Sequence, residues 1–155
     1  MDENNWLDDR EARLWRTYNA MRRGLVAALE RQLTQRSRLS GADYELLVVL
    51  SETTKGRLRA RELRSTVGWN RSRLAHQLRR MEARRLIRRE ACPDDARGTV
   101  VVLTSEGRRA IEAAAPDHVA TVRRLFIDVL SVDEIDVLTS VTERVLARLE
   151  NEQGD

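Results

Sequence analysis

Residues that staple, ligate or stack are scarce in this sequence. Cys92 is the one cysteine, so no intrachain disulfide can form. That thiol and two well-separated histidines, His76 and His118, cannot assemble a standard structural zinc site. Aromatic residues make up 4% of the chain, which argues against a large aromatic substrate pocket and against a stacking platform for single-stranded nucleic acid. No apolar run reaches the roughly 18 residues of a membrane span, and no basic-then-apolar leader opens the chain. The protein therefore reads as cytoplasmic, with no membrane partner. Nor is there a glycine-rich phosphate cradle or a Ser/His/acid group that one fold would gather. No enzyme activity, metal or cofactor is expected.

Charge is plentiful, at 34% of residues, and its distribution is uneven. Residues 55–97 hold 14 basic side chains (Lys55 and 13 Arg) against five acids, a local balance of +9. The rest of the chain balances at −6. A solvated surface usually mixes its signs, so a segregated cationic block points to a polyanionic partner.

Apolar spacing places a long first helix over 8–33, through Leu14, Tyr18, Met21, Leu25, Leu29 and Leu33. Ser40 and Asp43 have the spacing of a capping box and open a second helix, 41–53, apolar all round at Leu46–Leu50 and closed by Lys55-Gly56. A third helix at about 60–67 ends on Gly68, suited to a left-handed cap. Trp69 plugs the turn, and Asn70 caps a fourth helix over 71–85. Helix, glycine-containing turn and capped helix make a helix-turn-helix. Two β-prone stretches follow, Leu86–Cys92 and Thr99–Thr104, joined by a turn-rich Pro93–Gly98 loop that reads as a wing. A fifth helix is expected over Ser105–Leu130, kinked or restarted at Pro116. Ser131 and Glu134 cap a sixth, to about Leu149. The expected fold is mainly α with a small β wing: a winged helix-turn-helix over 39–104, flanked by an N-terminal helix (1–38) and C-terminal helices (105–155).

On a helical wheel, Leu74, Leu78 and Met81 of the fourth helix share one side, and Ser72, Arg73, His76, Arg79, Arg80 and Ala83 lie opposite. Arg can pair bidentately with guanine O6 and N7, and His and Ser can donate or accept. Arg84, Arg88 and Arg89, farther along, suit phosphate contacts that position without specifying. At the wing tip Arg97 is placed to enter a minor groove, where negative potential concentrates. Asp95, two residues earlier, can support it by a charge-assisted hydrogen bond to its guanidinium.

The string Val67-Gly-Trp-Asn-Arg-Ser-Arg-Leu-Ala-His-Gln-Leu-Arg-Arg-Met-Glu82, with the order of elements, resembles the MarR family of regulators. So do Asp94-Asp-Ala-Arg-Gly98, the following Val101-Val-Leu-Thr104, and Gly107. The resemblance covers essentially the whole chain. It implies an obligate homodimer, triangular in outline, with interleaved terminal helices and paired winged domains on a pseudo-palindrome. It often implies relief of repression by a small anionic or phenolic effector. By position, Arg71, Ser72, Arg73 and His76 match the family's base-reading stretch and Arg97 its wing arginine. Arg73 and His76 depart from the smaller or different polar residues common there, so no operator sequence carries over.

The apolar surface of the first, fifth and sixth helices exceeds what one wing domain needs, which independently suggests a second chain. Trp15, Tyr18, Tyr44 and His118 are candidate liners of an effector pocket, each with packing as its plain alternative. Cys92 reads as a structural thiol, with a redox role as the alternative. The expected function is a sequence-specific regulator of transcription that binds double-stranded DNA, a ligand-responsive repressor acting as a homodimer on a pseudo-palindromic operator. The alternatives are a sequence-tolerant architectural DNA binder and a protein-interaction adaptor.

Overall fold

The computed structural model describes residues 6–153. Its elements are α1 (Asp9–Ser37), α2 (Gly41–Glu52), β1 (Arg57–Arg59), α3 (Ala60–Val67), α4 (Arg71–Ala83), β2 (Ile87–Cys92), β3 (Asp95–Leu103), α5 (Ser105–Leu125), a 3-10 turn (Ile127–Val129) and α6 (Val132–Gln153). The chain divides into two compact units, with the boundary between His118 and Val119.

Local chemistry starts the helices where the sequence places them. At α2, Ser40 Oγ accepts from the Asp43 amide and Asp43 Oδ2 accepts from the Ser40 amide. Ser131 and Glu134 make the same reciprocal pair ahead of α6, and the Ser131 amide holds the Glu134 carboxyl below the usual carboxylate range. The all-round apolar run of α2 puts it at the centre of the first unit. Leu46, Leu47 and Leu50 are fully buried against Leu63 of α3, Leu74, Leu78 and Met81 of α4, and Ile87 and Val101 of the sheet. Each such side chain contributes about 1.5–3 kcal/mol by leaving water.

Three expectations change. The first is β1, which no sequence pattern announces: Arg57-Leu58-Arg59 is too short and too charged to read as a strand. It forms because the far edge of β3 is open, and it pairs antiparallel with Val100–Val102 to give the sheet order β1-β3-β2. The wing is also tighter than the composition of Pro93–Gly98 suggests. β3 starts at Asp95, opposite Cys92, and a register shift at Ala91/Cys92 absorbs the irregularity. Finally, α5 runs unbroken through Pro116 and ends at Leu125 instead of Leu130. Proline removes one amide donor there, at an exposed position on the helix.

The wing is fixed to the body at its base. Thr104 Oγ1 donates toward the carbonyls of Arg85 and Leu86 and accepts from the Gly107 amide. Gly107 itself has no room for a Cβ, which would meet the Leu86 carbonyl.

Candidate nucleic-acid interface

Gly68 adopts φ 65°, ψ 24°, the left-handed geometry that closes α3 and turns the chain toward α4. Trp69 fills the turn and is 8% exposed, as part of the main core. Asn70 Oδ1 then accepts from the Arg73 amide at 2.8 Å and starts α4. The core takes Leu74, Gln77, Leu78 and Met81, so α4 turns Arg71, Ser72, Arg73, His76, Arg79 and Arg80 to solvent. The sequence-derived face is therefore exposed as a unit. Arg73 differs from its neighbours: its guanidinium carbon lies 3.9 Å from the Trp69 ring centroid, a cation–π stack. Its charge also reaches Glu45 on α2, whose carboxyl is raised by packing and pulled back down by Arg73.

At the wing, Asp95 supports Arg97 in a way the sequence does not suggest. Its Oδ1 accepts from the Arg97 backbone amide at 3.0 Å. The carboxylate thus fixes the turn instead of gripping the guanidinium. Between the wing, α3 and the first turns of α4 lies an open cleft of about 340 Å³. Arg59, Arg61, Arg64, Arg71, Arg89 and Arg97 line it over a floor that includes Leu74, Leu78 and Cys92, and Asp95 is the acid in its lining.

The arginines sort into two sets. Arg57 and Arg88 meet Glu90, whose carboxyl they hold below the usual range. Arg59 reaches Asp94 at 3.3 Å. Arg89 forks onto Glu82 through its backbone amide, Nε and Nη2, and lowers that carboxyl likewise. Arg84 Nη1 donates to Asp43 at 2.6 Å, and its Nη2 donates to the Arg38 carbonyl. Arg84, Arg88 and Arg89, expected to suit phosphate contacts, are thus each ion-paired with one of the protein's own acids. Among the described residues, Arg61, Arg64, Arg71, Arg73, Arg79, Arg80, Arg85 and Arg97 have no acid in hydrogen-bond or ion-pair contact. Arg61 and Arg64 have no role in the sequence reading, where only their place in the cationic block could have marked them.

Asp43 does more than cap. It is 2% exposed, and besides the Ser40 amide it accepts from Gln77 Nε2 at 2.6 Å and from Arg84. One buried carboxylate thus holds α4 against the start of α2.

Solved structures match this chain over nearly its whole length. AbsC, a MarR family transcriptional regulator from Streptomyces coelicolor, matches with a TM-score of 0.91 and 40% sequence identity, covering 96% of this chain and 99% of AbsC. The chain belongs to the MarR family of transcriptional regulators. Sco3205, another MarR family regulator from the same organism, solved in complex with DNA, matches at TM-score 0.89 and 36% identity over 92% of this chain and 89% of its own. A cysteine-to-serine mutant of MarR from E. coli, complexed with operator DNA, shares the fold at TM-score 0.76 and 21% identity, over 86% and 93% of the two chains. An HxlR-like helix-turn-helix family model matches residues 42–115. That span is the winged part alone, so the whole-chain likeness decides between the two family names. No curated protein matches significantly.

In this MarR-family chain the four candidate effector residues form two ring pairs. Tyr44 and His118 lie 4.2 Å apart between centroids, and His118 Nδ1 is 3.1 Å from Gln32 Oε1. Burial raises the Tyr44 hydroxyl and lowers the His118 imidazole. Gln32 Nε2 is buried and has no hydrogen-bond partner among the described residues, a feature that sequence reading misses. Trp15 and Tyr18 stack on each other at 5.9 Å on an exposed face of α1. Cys92 is a free, buried thiol packed with Val100 and Val102.

Proposed function

We propose that the protein is a sequence-specific regulator of transcription that binds double-stranded DNA as a homodimer on a pseudo-palindromic operator, in the cytoplasm. The observation that carries this reading is the sorting of its arginines. Among the described residues, Arg71, Arg73, Arg79 and Arg80 of α4, Arg61 and Arg64 of α3 and Arg97 at the wing tip lack acidic partners, whereas Arg57, Arg59, Arg84, Arg88 and Arg89 are ion-paired with Glu90, Asp94, Asp43 and Glu82. A surface that leaves a cluster of cations unpaired across one helix face, the neighbouring α3 and the wing tip is matched to a polyanion. The exposed face of α4 fits a major groove, with Ser72, Arg73, His76, Arg79 and Arg80 toward base edges, and Arg97 fits the adjoining minor groove. Arg61, Arg64 and Arg71 in the cleft suit the phosphate strand that passes between the two grooves.

Dimerisation is supported by apolar surface that one chain leaves uncovered. Along α1, Leu14 is 71% exposed, and Trp15, Tyr18 and Met21 are exposed beside it. Along α6, Val137, Val141, Val145 and Leu149 follow one another at four-residue spacing, all exposed. A second copy covers these stripes and sets two recognition helices about 34 Å apart, one DNA turn. Regulation is assigned to repression relieved by a small aromatic or anionic effector. Tyr44 and His118 offer it a planar contact, and the orphaned Gln32 amide offers a donor.

The test compares a duplex selected from a random pool with unselected duplex at matched salt. A regulator favours the selected site by about 10³-fold or more. Equal affinity for both would establish the sequence-tolerant architectural reading instead.

A further inference from the structure

We infer that Trp69 is a specificity-determining positioning residue: it holds the Arg73 guanidinium in a fixed plane from which Arg73 reads a guanine in each half-site. The inference rests on the DNA-binding reading above and deepens it.

Two anchors act on the same residue. The Asn70 side chain fixes the Arg73 amide at 2.8 Å, and the Trp69 ring lies under its guanidinium at 3.9 Å. The ring is itself buried, because Trp69 belongs to the core that holds Leu74 and Leu78. A guanidinium stacked on a ring spends one face on the contact and keeps its N–H donors, which lie in its plane. No carboxylate is hydrogen-bonded to those donors among the described residues, although Glu45 lies near enough to feel the charge. Arg79 and Arg80, by contrast, have no aromatic support among the described residues. An arginine side chain ordinarily loses much rotamer freedom on binding; here most is lost on folding, before DNA arrives. Planar, edge-on donors at the first turn of a recognition helix match the O6 and N7 acceptors of guanine. Phosphate recognition would not need the plane to be fixed.

The test uses the full chain and selection from a random duplex pool, read position by position. Arg73→Lys keeps the charge and loses the planar fork. At one guanine per half-site it is expected to lower discrimination about tenfold or more, with affinity for random duplex changed less than about threefold. Trp69→Phe should relax the same position to a smaller degree, and Trp69→Leu as fully as Arg73→Lys. The Trp69→Phe, Arg73→Lys pair should be no worse than Arg73→Lys alone. Arg73 is exposed, so its variant tests the inference even where Trp69→Leu fails to fold. Three results would overturn it: an unchanged motif in Arg73→Lys, equal losses on selected and random duplex, or a Trp69→Phe motif identical to that of the natural chain. A natural chain that selects no motif at all would sink the underlying sequence-specific reading, and this inference with it.

Discussion

His118 and Arg97 show how single side chains carry separate properties. The His118 imidazole is desolvated, so its folded pKa lies below the ordinary 6.5. Well above that value both folded and unfolded rings are neutral and stability is unaffected. As pH falls below 6.5 the unfolded ring takes up a proton that the folded ring refuses, and stability declines until the folded ring also titrates. Urea unfolding from about pH 7.5 to 5.5, above the carboxylate range, should show this decline, and His118→Gln should flatten it. Persistence of the full slope in the variant would assign it elsewhere. Arg97 presents its charge from a turn that Asp95 holds through the backbone. Arg97→Ala should weaken operator and random duplex alike and reduce the slope of log K against log salt by roughly one unit. An unchanged slope would remove it from the interface. Helical periodicity made the exposure of Ser72, His76 and Arg79 legible. It could not show which arginines are already paired, since Arg57 meets Glu90 across 33 residues of sequence and a strand that short periodic patterns do not reveal.

Between elements, two contacts set where α4 and the wing stand. Asp43 binds Gln77 and Arg84 from a buried position, and its loss leaves Gln77 without its acceptor and Arg84 without its acid. Asp43→Ala should cost about 3 kcal/mol, seen as a lower urea midpoint at unchanged slope. A loss below about 1 kcal/mol would show that the network is dispensable. At the foot of the wing, a Cβ on Gly107 would collide with the Leu86 carbonyl, which is backbone and cannot swing away. Gly107→Ala should therefore destabilise by about 1–3 kcal/mol by thermal melting, despite the usual preference of helices for alanine. The capping role of Asp43 was readable from Ser40 three residues earlier. Its grip on α4 was not, because Gln77 and Arg84 come to it only through packing.

For the whole molecule, the proposed twofold assembly predicts a coupling between oligomeric state and DNA affinity. Val141→Asp with Val145→Asp places two carboxylates on the exposed stripe of α6 and leaves every residue of the winged unit as it is. Sedimentation should report a shift to monomer, and operator affinity should fall by about 100-fold or more as two linked contacts become independent. Circular dichroism of the variant should remain that of the folded chain. A variant that stays dimeric, or a monomer that keeps full affinity, would place the partner surface elsewhere.

Much of this protein was decided locally. Caps at Ser40, Asn70 and Ser131, the left-handed Gly68, and the 3–4 spacing of leucines act within a few residues, so helix order, the turn and the outward face of α4 follow from sequence alone. The segregation of +9 into residues 55–97 is equally local. What only the tertiary structure decided are the partnerships across distance: β1 on the free edge of β3, Arg57 on Glu90, Asp43 under Arg84, and the unpaired cleft arginines those pairings leave behind. These depend on packing of the apolar core, which brings distant charges within hydrogen-bond reach, and no local pattern encodes such a distance.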